Sequence, residues 1–350
     1  MSRALRIAQV APVATCVPPV GSGSVETATS LLTEGLVRHG HDVTLFATGD
    51  SATAARLHAT FRRGYHDDLE IWPWELCELV NLAVAVERAG DFDVIHYQCE
   101  YFPMSLAFTR LVRTPVVQTV HHAPQAVEVA LWAKYPEAPF IAISRAQARM
   151  LAGANVVATV HHAVDIPAFA FSPEPSDYLL FLGRFTEGKG VIEAIDVARR
   201  LGRRLILAAK ENEYYVEAIA SLVDGVTIVY AGEVGHEERV RLLGGAQALL
   251  YPVQQPEPFG LVLPEAMACG TPVAALGIGA VPEIVDDGVT GGVFASLDAL
   301  VAGLPRVCAL DRRVVRATAE RRFGVDRMVL EHVSAYESVI ARAAHERVLT

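Results

Sequence analysis

The sequence predicts an α/β protein of two doubly wound, Rossmann-like domains, and three observations carry the prediction. Leu5 to Val10 reads as an apolar strand; a Pro- and Gly-rich loop runs on to Gly21-Ser-Gly-Ser-Val-Glu26, a helix from about Val25 to His39 follows, and Asp42 to Ala47 is a second strand. Strand, glycine loop, helix, strand is the opening of a parallel sheet whose ligands bind at the carboxyl ends of the strands. The same order restarts at Tyr178 to Gly183, where a second glycine-bounded loop leads into a helix from Val191 to Leu201. Finally, 350 residues at 52% apolar content exceed one domain and supply two cores, each of about 165 residues.

In chain order, the first helix carries apolar Leu31, Leu32 and Leu36 on one side and stops at Gly40. The loop before it holds Gly21 and Gly23 without the third glycine of a dinucleotide fingerprint. Trp72-Pro73-Trp74 has two readings, a packed corner or the wall of an acceptor pocket, since aromatic rings offer apolar faces to flat or ring-shaped substrates. Asp91-Phe-Asp93 matches a metal-binding D-x-D formally and reads as the turn into the strand Val94 to Tyr97. The strand from Thr114 runs out into His121-His122, a pair without a third metal ligand at a familiar spacing, and the strand Phe140 to Ser144 ends in Ser144-Arg145. Ser144 is a candidate substrate contact.

Val160 to Asp165 closes the first half, and the Pro-rich stretch from Pro167 to Pro175 reads as a linker. In the second half, Arg184 and Lys189 stand five residues apart in the loop before the Val191 helix, where charge-assisted bonds suit a diphosphate. Arg204 to Ala209 is a strand that delivers Lys210 to the same edge; Gly225 to Tyr230 and Ala248 to Val253 are further strands. Gly324 breaks the chain before a helix that the sequence caps with Asp326 and carries to Arg347.

The most informative stretch is Glu257-Pro-Phe-Gly-Leu-Val-Leu-Pro-Glu265-Ala-Met-Ala-Cys-Gly270-Thr-Pro-Val273. Pro258 and Gly260 keep Glu257 in a loop, and Leu261 to Cys269 is a short helix ended by Gly270 and Pro272, with Glu265 in its first half. Both acids can then face one cleft. A carboxylate accepts from two neighbouring hydroxyls at once, which suits the diol of a sugar. The backbone N–H groups of Phe259, Gly260 and Leu261 open the helix and suit a phosphate. The competing reading makes Glu257 a loop charge and Glu265 a first-turn acid that complements the helix dipole.

Composition narrows the field. A formal net charge of −10 lacks the basic footprint of a nucleic-acid or anionic-membrane binder. No apolar run approaches the roughly 20 residues that span a bilayer. Only three lysines occur against 27 arginines, so Lys189 and Lys210 beside loops at strand ends stand out. Five scattered cysteines without C-x-x-C spacing indicate neither a disulfide framework nor a zinc site, and a reducing cytoplasm is the expected location.

The string Glu-Pro-Phe-Gly followed by Pro-Glu-Ala-Met-Ala-Cys-Gly-Thr-Pro-Val resembles the E-x7-E signature of family-4 retaining glycosyltransferases of the GT-B fold, and Gly183-Arg184 with Lys189-Gly190 is similar to their Gly-Arg…Lys-Gly motif. The resemblance implies two Rossmann-like domains facing across a cleft: 1–165 binding the acceptor, 166–325 binding a nucleotide-sugar donor, and a helix over 326–350 crossing back to the first. It implies transfer of a hexose from a nucleoside diphosphate sugar, UDP-hexose being the commonest donor beside GDP and ADP sugars, to a soluble small-molecule acceptor with retention and without metal or other cofactor. Glu257, His121, Arg184 and Lys189 take catalytic roles. Glu265, Gly260, Leu261, Phe259, Val262, Lys210 and Gly23 bind the donor; Trp72, Trp74, Glu26 and Ser144 belong to the acceptor side. The loop Gly23-Ser24-Val25-Glu26 replaces the family's Gly-Gly-x-Glu, and Gly277-Ile-Gly279-Ala-Val-Pro-Glu283 its Gly-Gly-x-Pro-Glu, with Glu283 bracing that loop. The partners implied are the nucleotide sugar and the acceptor, with no nucleic acid and no transmembrane segment; a homodimer is compatible with this reading. Two rivals share the fold: a UDP-N-acetylglucosamine 2-epimerase and a non-catalytic sugar-nucleotide sensor.

Overall fold

A computed structural model of the chain describes residues 3–21, 23–99 and 102–348. Ser22 of the glycine loop and the extreme ends of the two outer segments, 1–2 and 349–350, lie outside the described residues. The chain divides into two compact units, Met1–Ala163 with Val325–Thr350, and Val164–Gly324.

In the first unit the described strands are β1 (Arg6–Val10), β2 (Asp42–Ala47), β3 (Arg56–Ala59), β4 (Val94–Cys99), β5 (Val116–Val120), β6 (Pro139–Ala142) and β7 (Asn155–Thr159). Helices α1 (Ser24–Arg38), α2 (Trp74–Glu87), α3 (Ala126–Trp132) and α4 (Arg145–Met150) connect them. All pairings are parallel and the order is β3-β2-β1-β4-β5-β6-β7. Fully buried Ile7, Leu45, Ile95 and Phe140 show why: strands covered on both faces are apolar throughout. Asp93 accepts from the Arg6 backbone N–H (2.9 Å) and pairs with Arg3 and Arg6, so the D-x-D motif ties β4 to β1.

The second unit repeats the scheme with β8 (Leu179–Leu182), α5 (Val191–Leu201), β9 (Leu205–Ala208), β10 (Ile228–Gly232), α6 (His236–Gly245) and β11 (Leu249–Tyr251). It continues through α7 (Val262–Ala268), β12 (Val273–Leu276), α8 (Val281–Ile284), β13 (Gly291–Phe294), α9 (Leu297–Cys308) and α10 (Arg312–Phe323). Its six parallel strands run β10-β9-β8-β11-β12-β13. Helix α5 buries Val191, Ala194, Ile195, Val197 and Ala198 against this sheet. Each large apolar side chain so buried contributes about 1.5 to 3 kcal/mol.

Helix α11 (Val325–Val348) returns to the first unit, where Met328, Val329, Val333 and Tyr336 join Ile7, Leu36, Val94 and Val117 in one core cluster. Asp326 is the second residue of this helix rather than its cap, and pairs with His39. The Pro-rich stretch is not a free tether. Phe169 is buried, Arg316 donates to the carbonyls of Ile166, Phe169 and Ala268, and Ser172 N donates to Cys269 O. Backbone polar groups near a core must be paired, and this segment finds its partners in α7 and α10.

Arg312 is the staple of the second unit. Its buried guanidinium donates to the carbonyls of Ser172 (2.8 Å), Ala246 (2.9 Å) and Gly244 (2.7 Å) and to Thr271 Oγ1 (2.7 Å), all neutral acceptors. Arg312→Met is expected to destabilise this unit by about 2 to 4 kcal/mol, because it strands several buried acceptors at once. Urea unfolding followed by Trp-free probes of the second unit, such as amide exchange in β11, measures it; a loss within about 0.5 kcal/mol would assign the arginine no structural load.

Candidate functional site

Six parallel strands put all their carboxyl ends on one edge, and the order reverses between β8 and β11. Loops diverge at such a switch point and leave a ligand crevice. Here the loops after β8, β11 and β12 are bonded to one another. Gln254 N donates to Gly188 O (2.9 Å), and Gly190, at φ +73°, lies so close to the Pro252 carbonyl that no side chain fits. Ala280 N donates to Glu257 O (2.8 Å), while Gly279, at φ +64°, lies against the Glu257 backbone. Glu257 is therefore held by its main chain from the neighbouring loop and is only 9% exposed.

Its side chain is equally constrained. Glu257 Oε2 accepts from the Tyr251 hydroxyl (2.5 Å) and from the Lys189 ammonium, and Lys189 Nζ also lies 3.4 Å from the Tyr251 oxygen. Burial first, then the Glu257 charge, push the Tyr251 phenol well above its usual range, with Arg184 acting in the opposite direction. Tyr251 is thus a permanent donor. Both bonds use Oε2, so Oε1 carries neither.

Glu265 sits in the first turn of α7, whose end is closed by Gly270 N to Met267 O (2.9 Å) and Thr271 N to Ala266 O (2.8 Å), the paired bonds of a glycine-terminated helix. Its Oε2 accepts from Arg239 of α6. Burial raises its carboxyl above the ordinary range, while Arg239 favours the ionised form. Each acid of the motif has its own cation. Gly260, Leu261 and Val262 form the half-buried start of α7, whereas the Phe259 ring is buried against Phe323 (6.3 Å), leaving only its backbone to offer a ligand. Lys189 is paired with Glu257, Arg184 and Lys210 are exposed, and the Glu283 carbonyl accepts from Arg322.

In the first unit the order reverses between β1 and β4. Gly23 and Glu26 come together there: a Cβ on Gly23 would stand 2.7 Å from Glu26 Oε2, and Glu26 is buried at the start of α1. His121 follows β5, with Nε2 3.0 Å from Gln98 Oε1 and its ring stacked on His162 at 5.1 Å. Burial lowers its imidazole to about 3, so it is neutral. Ser144 is fully buried, and its hydroxyl caps α4 by accepting from Gln147 N (3.0 Å). The two tryptophans separate, Trp72 being 73% exposed and Trp74 stacked on Phe102 at 6.2 Å and packed near Tyr65.

Sequence reasoning missed Tyr251, Arg239 and Gln98. Tyr251 reads as one more apolar residue of a buried strand, Arg239 as part of a solvated His-Glu-Glu-Arg turn, and Gln98 as a polar interruption in a strand.

Two parallel, helix-flanked sheets with a motif of paired acids at the second switch point define a glycosyltransferase of the GT-B fold. Residues 165–319 match the family model for glycosyl transferases group 1, and residues 23–175 match that of the glycosyl transferase 4-like domain. The chain belongs to the family-4 glycosyltransferases. It is 29% identical over 285 residues to a phosphatidyl-myo-inositol mannosyltransferase of Mycobacterium leprae (strain TN), covering 71% of this chain and 74% of that one. Among solved structures it is similar to AviGT4, a glycosyltransferase involved in avilamycin A biosynthesis, with 27% identity, TM-score 0.71 and coverage of 96% and 98%. Anabaena Alr3699/HepE in complex with UDP and glucose shares the fold at 17% identity, TM-score 0.73, with coverage of 95% and 100%. Among the described residues no helix is long and apolar enough to cross a membrane.

Proposed function

We propose that this glycosyltransferase moves a hexose from a nucleoside diphosphate sugar, UDP-hexose, to a small soluble acceptor, with retention of configuration and without a metal. The observation that carries the reading is the Glu257–Lys189–Tyr251 cluster at the carboxyl edge of β8 and β11, with Arg184 within electrostatic reach of it. In this reading Glu257 accepts from hydroxyls of the donor sugar and Glu265 from those of the ribose. Lys189 and Arg184, with the first turn of α7, balance the charge that grows on the diphosphate as its bond to C1 breaks. The acceptor oxygen forms the new bond to C1 on the same face, and its proton passes to the departing phosphate oxygen. No separate base is required. Lys210 reaches the phosphates, Gly23 lets the donor approach closely, and neutral His121 meets the sugar. The second unit thus holds the donor. Trp72 and Trp74 offer the acceptor aromatic contacts on the first, and Glu26 a carboxylate at the start of α1. The mannosyl transfer named for the Mycobacterium leprae protein supports a hexosyl group. The free cysteines Cys16, Cys77, Cys269 and Cys308 support a cytoplasmic location.

Calorimetry with UDP, GDP and ADP, followed by mass spectrometry of candidate acceptors incubated with UDP-hexoses, tests the reading. The expected result is selective UDP binding and an acceptor heavier by one hexosyl unit, unchanged after chelation with EDTA. Epimerised donor formed without an acceptor, or tight UDP binding with neither transfer nor hydrolysis, would replace it with the rival activities. Glu265→Ala is expected to weaken UDP binding by about 10- to 100-fold, the range for losing hydrogen bonds to a charged group; unaltered affinity would remove Glu265 from the ribose site.

A further inference from the structure

The inner face of the first sheet carries polar residues where apolar ones are the rule. Gln9 of β1 stands opposite His96 of β4 and Thr119 of β5 opposite Gln98 of β4. All four are buried, as is Tyr336 of α11, which lies among them. Buried polar groups must be satisfied, and the way these are satisfied determines where each hydrogen sits.

Gln9 Nε2 donates to the Tyr336 hydroxyl oxygen (3.0 Å), so the phenolic hydrogen goes to His96 Nδ1 (2.6 Å). His96 Nε2 then donates to Thr119 Oγ1 (2.8 Å). Gln98 Nε2 donates to Gln9 Oε1 (3.0 Å) and lies 3.1 Å from His96 Nδ1. Turning the Gln98 amide over by itself would set two oxygens and an imidazole lone pair against one another; only a concerted reversal of Gln9, Tyr336 and His96 would relieve that clash. Gln98 Oε1 is therefore the atom that faces His121 Nε2, at 3.0 Å.

We propose that Gln98 is the positioning residue for His121, fixing it as the Nε2–H tautomer with the lone pair on Nδ1, and that Tyr336 of the last helix holds Gln98 in that orientation. This rests on the reading that His121 meets the donor sugar. An imidazole so fixed accepts a sugar hydroxyl at Nδ1 and cannot donate there. The stack on His162 holds the plane of the ring, and burial keeps His121 neutral through the physiological range.

The test is the ring-nitrogen spectrum of the full-length 15N-labelled protein, with His121 signals identified by their absence in His121→Gln. Wild type is expected to show the Nε2–H pattern. Gln98→Met should move His121 to a mixed or Nδ1–H pattern and lower kcat/KM about 10- to 100-fold, the range for losing an orienting partner, with most of the loss in kcat. Gln98→Glu keeps an acceptor but adds a charge, so the His121 pKa should rise and a new acid limb should enter the pH profile. Tyr336→Phe removes one oxygen without a cavity; it should shift the same signals partway and serves where Gln98→Met fails to fold. An unchanged His121 tautomer in Gln98→Met or, failing that, in Tyr336→Phe overturns the positioning role. Full transfer activity in His121→Ala would instead overturn the donor-contact reading, while a shifted tautomer would still support the positioning.

Discussion

Glu257→Gln is expected to keep the fold and UDP affinity while lowering transfer by about 10²- to 10³-fold, the range seen when one preorganised group is lost from a reacting centre. The substitution keeps an oxygen for Tyr251 and removes the negative charge that Lys189 is paired with. Lys189 then meets the diphosphate without a competing carboxylate, so UDP binding should hold or tighten, and the loss should fall on turnover. Glu257→Ala is the harsher change. It leaves the buried Tyr251 hydroxyl and the Lys189 ammonium without their shared acceptor, with a destabilisation of about 1 to 3 kcal/mol. Initial rates at saturating donor, beside calorimetric titration of UDP, separate the two effects. Transfer by Glu257→Gln at the wild-type rate would place the reacting centre elsewhere.

Acid should weaken the first unit before the ordinary carboxylate range is reached. His96, His162 and His332 are buried, and burial holds each imidazole below its usual 6.5, His332 at about 4. The folded pKa lies below the unfolded one, so the stabilisation is complete above pH 6.5 and is lost as pH falls towards the folded value. In that window the unfolded chain binds the extra proton. Each such histidine contributes a slope approaching 1.4 kcal/mol per pH unit, and His332 alone amounts to about 3 kcal/mol by pH 4. The groups that face it are His96 and Tyr336, with His121 and His162 within electrostatic reach and Arg327 on the same helix. Glu265 in the second unit works in the reverse sense, because its raised carboxyl favours the folded state as it takes up a proton. Hydrogen exchange in β1 and β4 between pH 7.5 and 4.5 therefore reads the first unit separately, and His332→Gln should flatten its pH slope. Equal slopes in the variant and wild type would mean that His332 is not held neutral by burial.

Much of the scaffold was legible from local pattern. Helix α5 runs from Val191 to Leu201, directly after the glycine-bounded loop that announces it and up to Gly202, and α7 ends at Gly270 as expected. Strands β1, β2, β8 and β9 fall within a residue or so of the apolar runs that announce them. Strand β3 escaped because Arg56–Ala59 is an edge strand whose exposed residues carry no apolar run. Strand β7 escaped because Asn155–Thr159 is only half-buried, and the capping role of Ser144 was not legible because a serine at a strand end looks the same whether it caps the next helix or meets a ligand.

The acids of the site could be named from sequence because Glu257 and Glu265 belong to one continuous motif whose glycines and prolines act over a few residues. Their partners could not. Arg239 meets Glu265 across 26 positions, Lys189 meets Glu257 across 68, and Tyr336 meets His96 across 240. Hydrophobic periodicity and capping act within a turn or a strand, so the chain alone specifies elements and motif. Ion pairing, burial and tautomer depend on which distant side chains are brought within a bond length in a medium without water, and only the packed sheets and the returning last helix decide that.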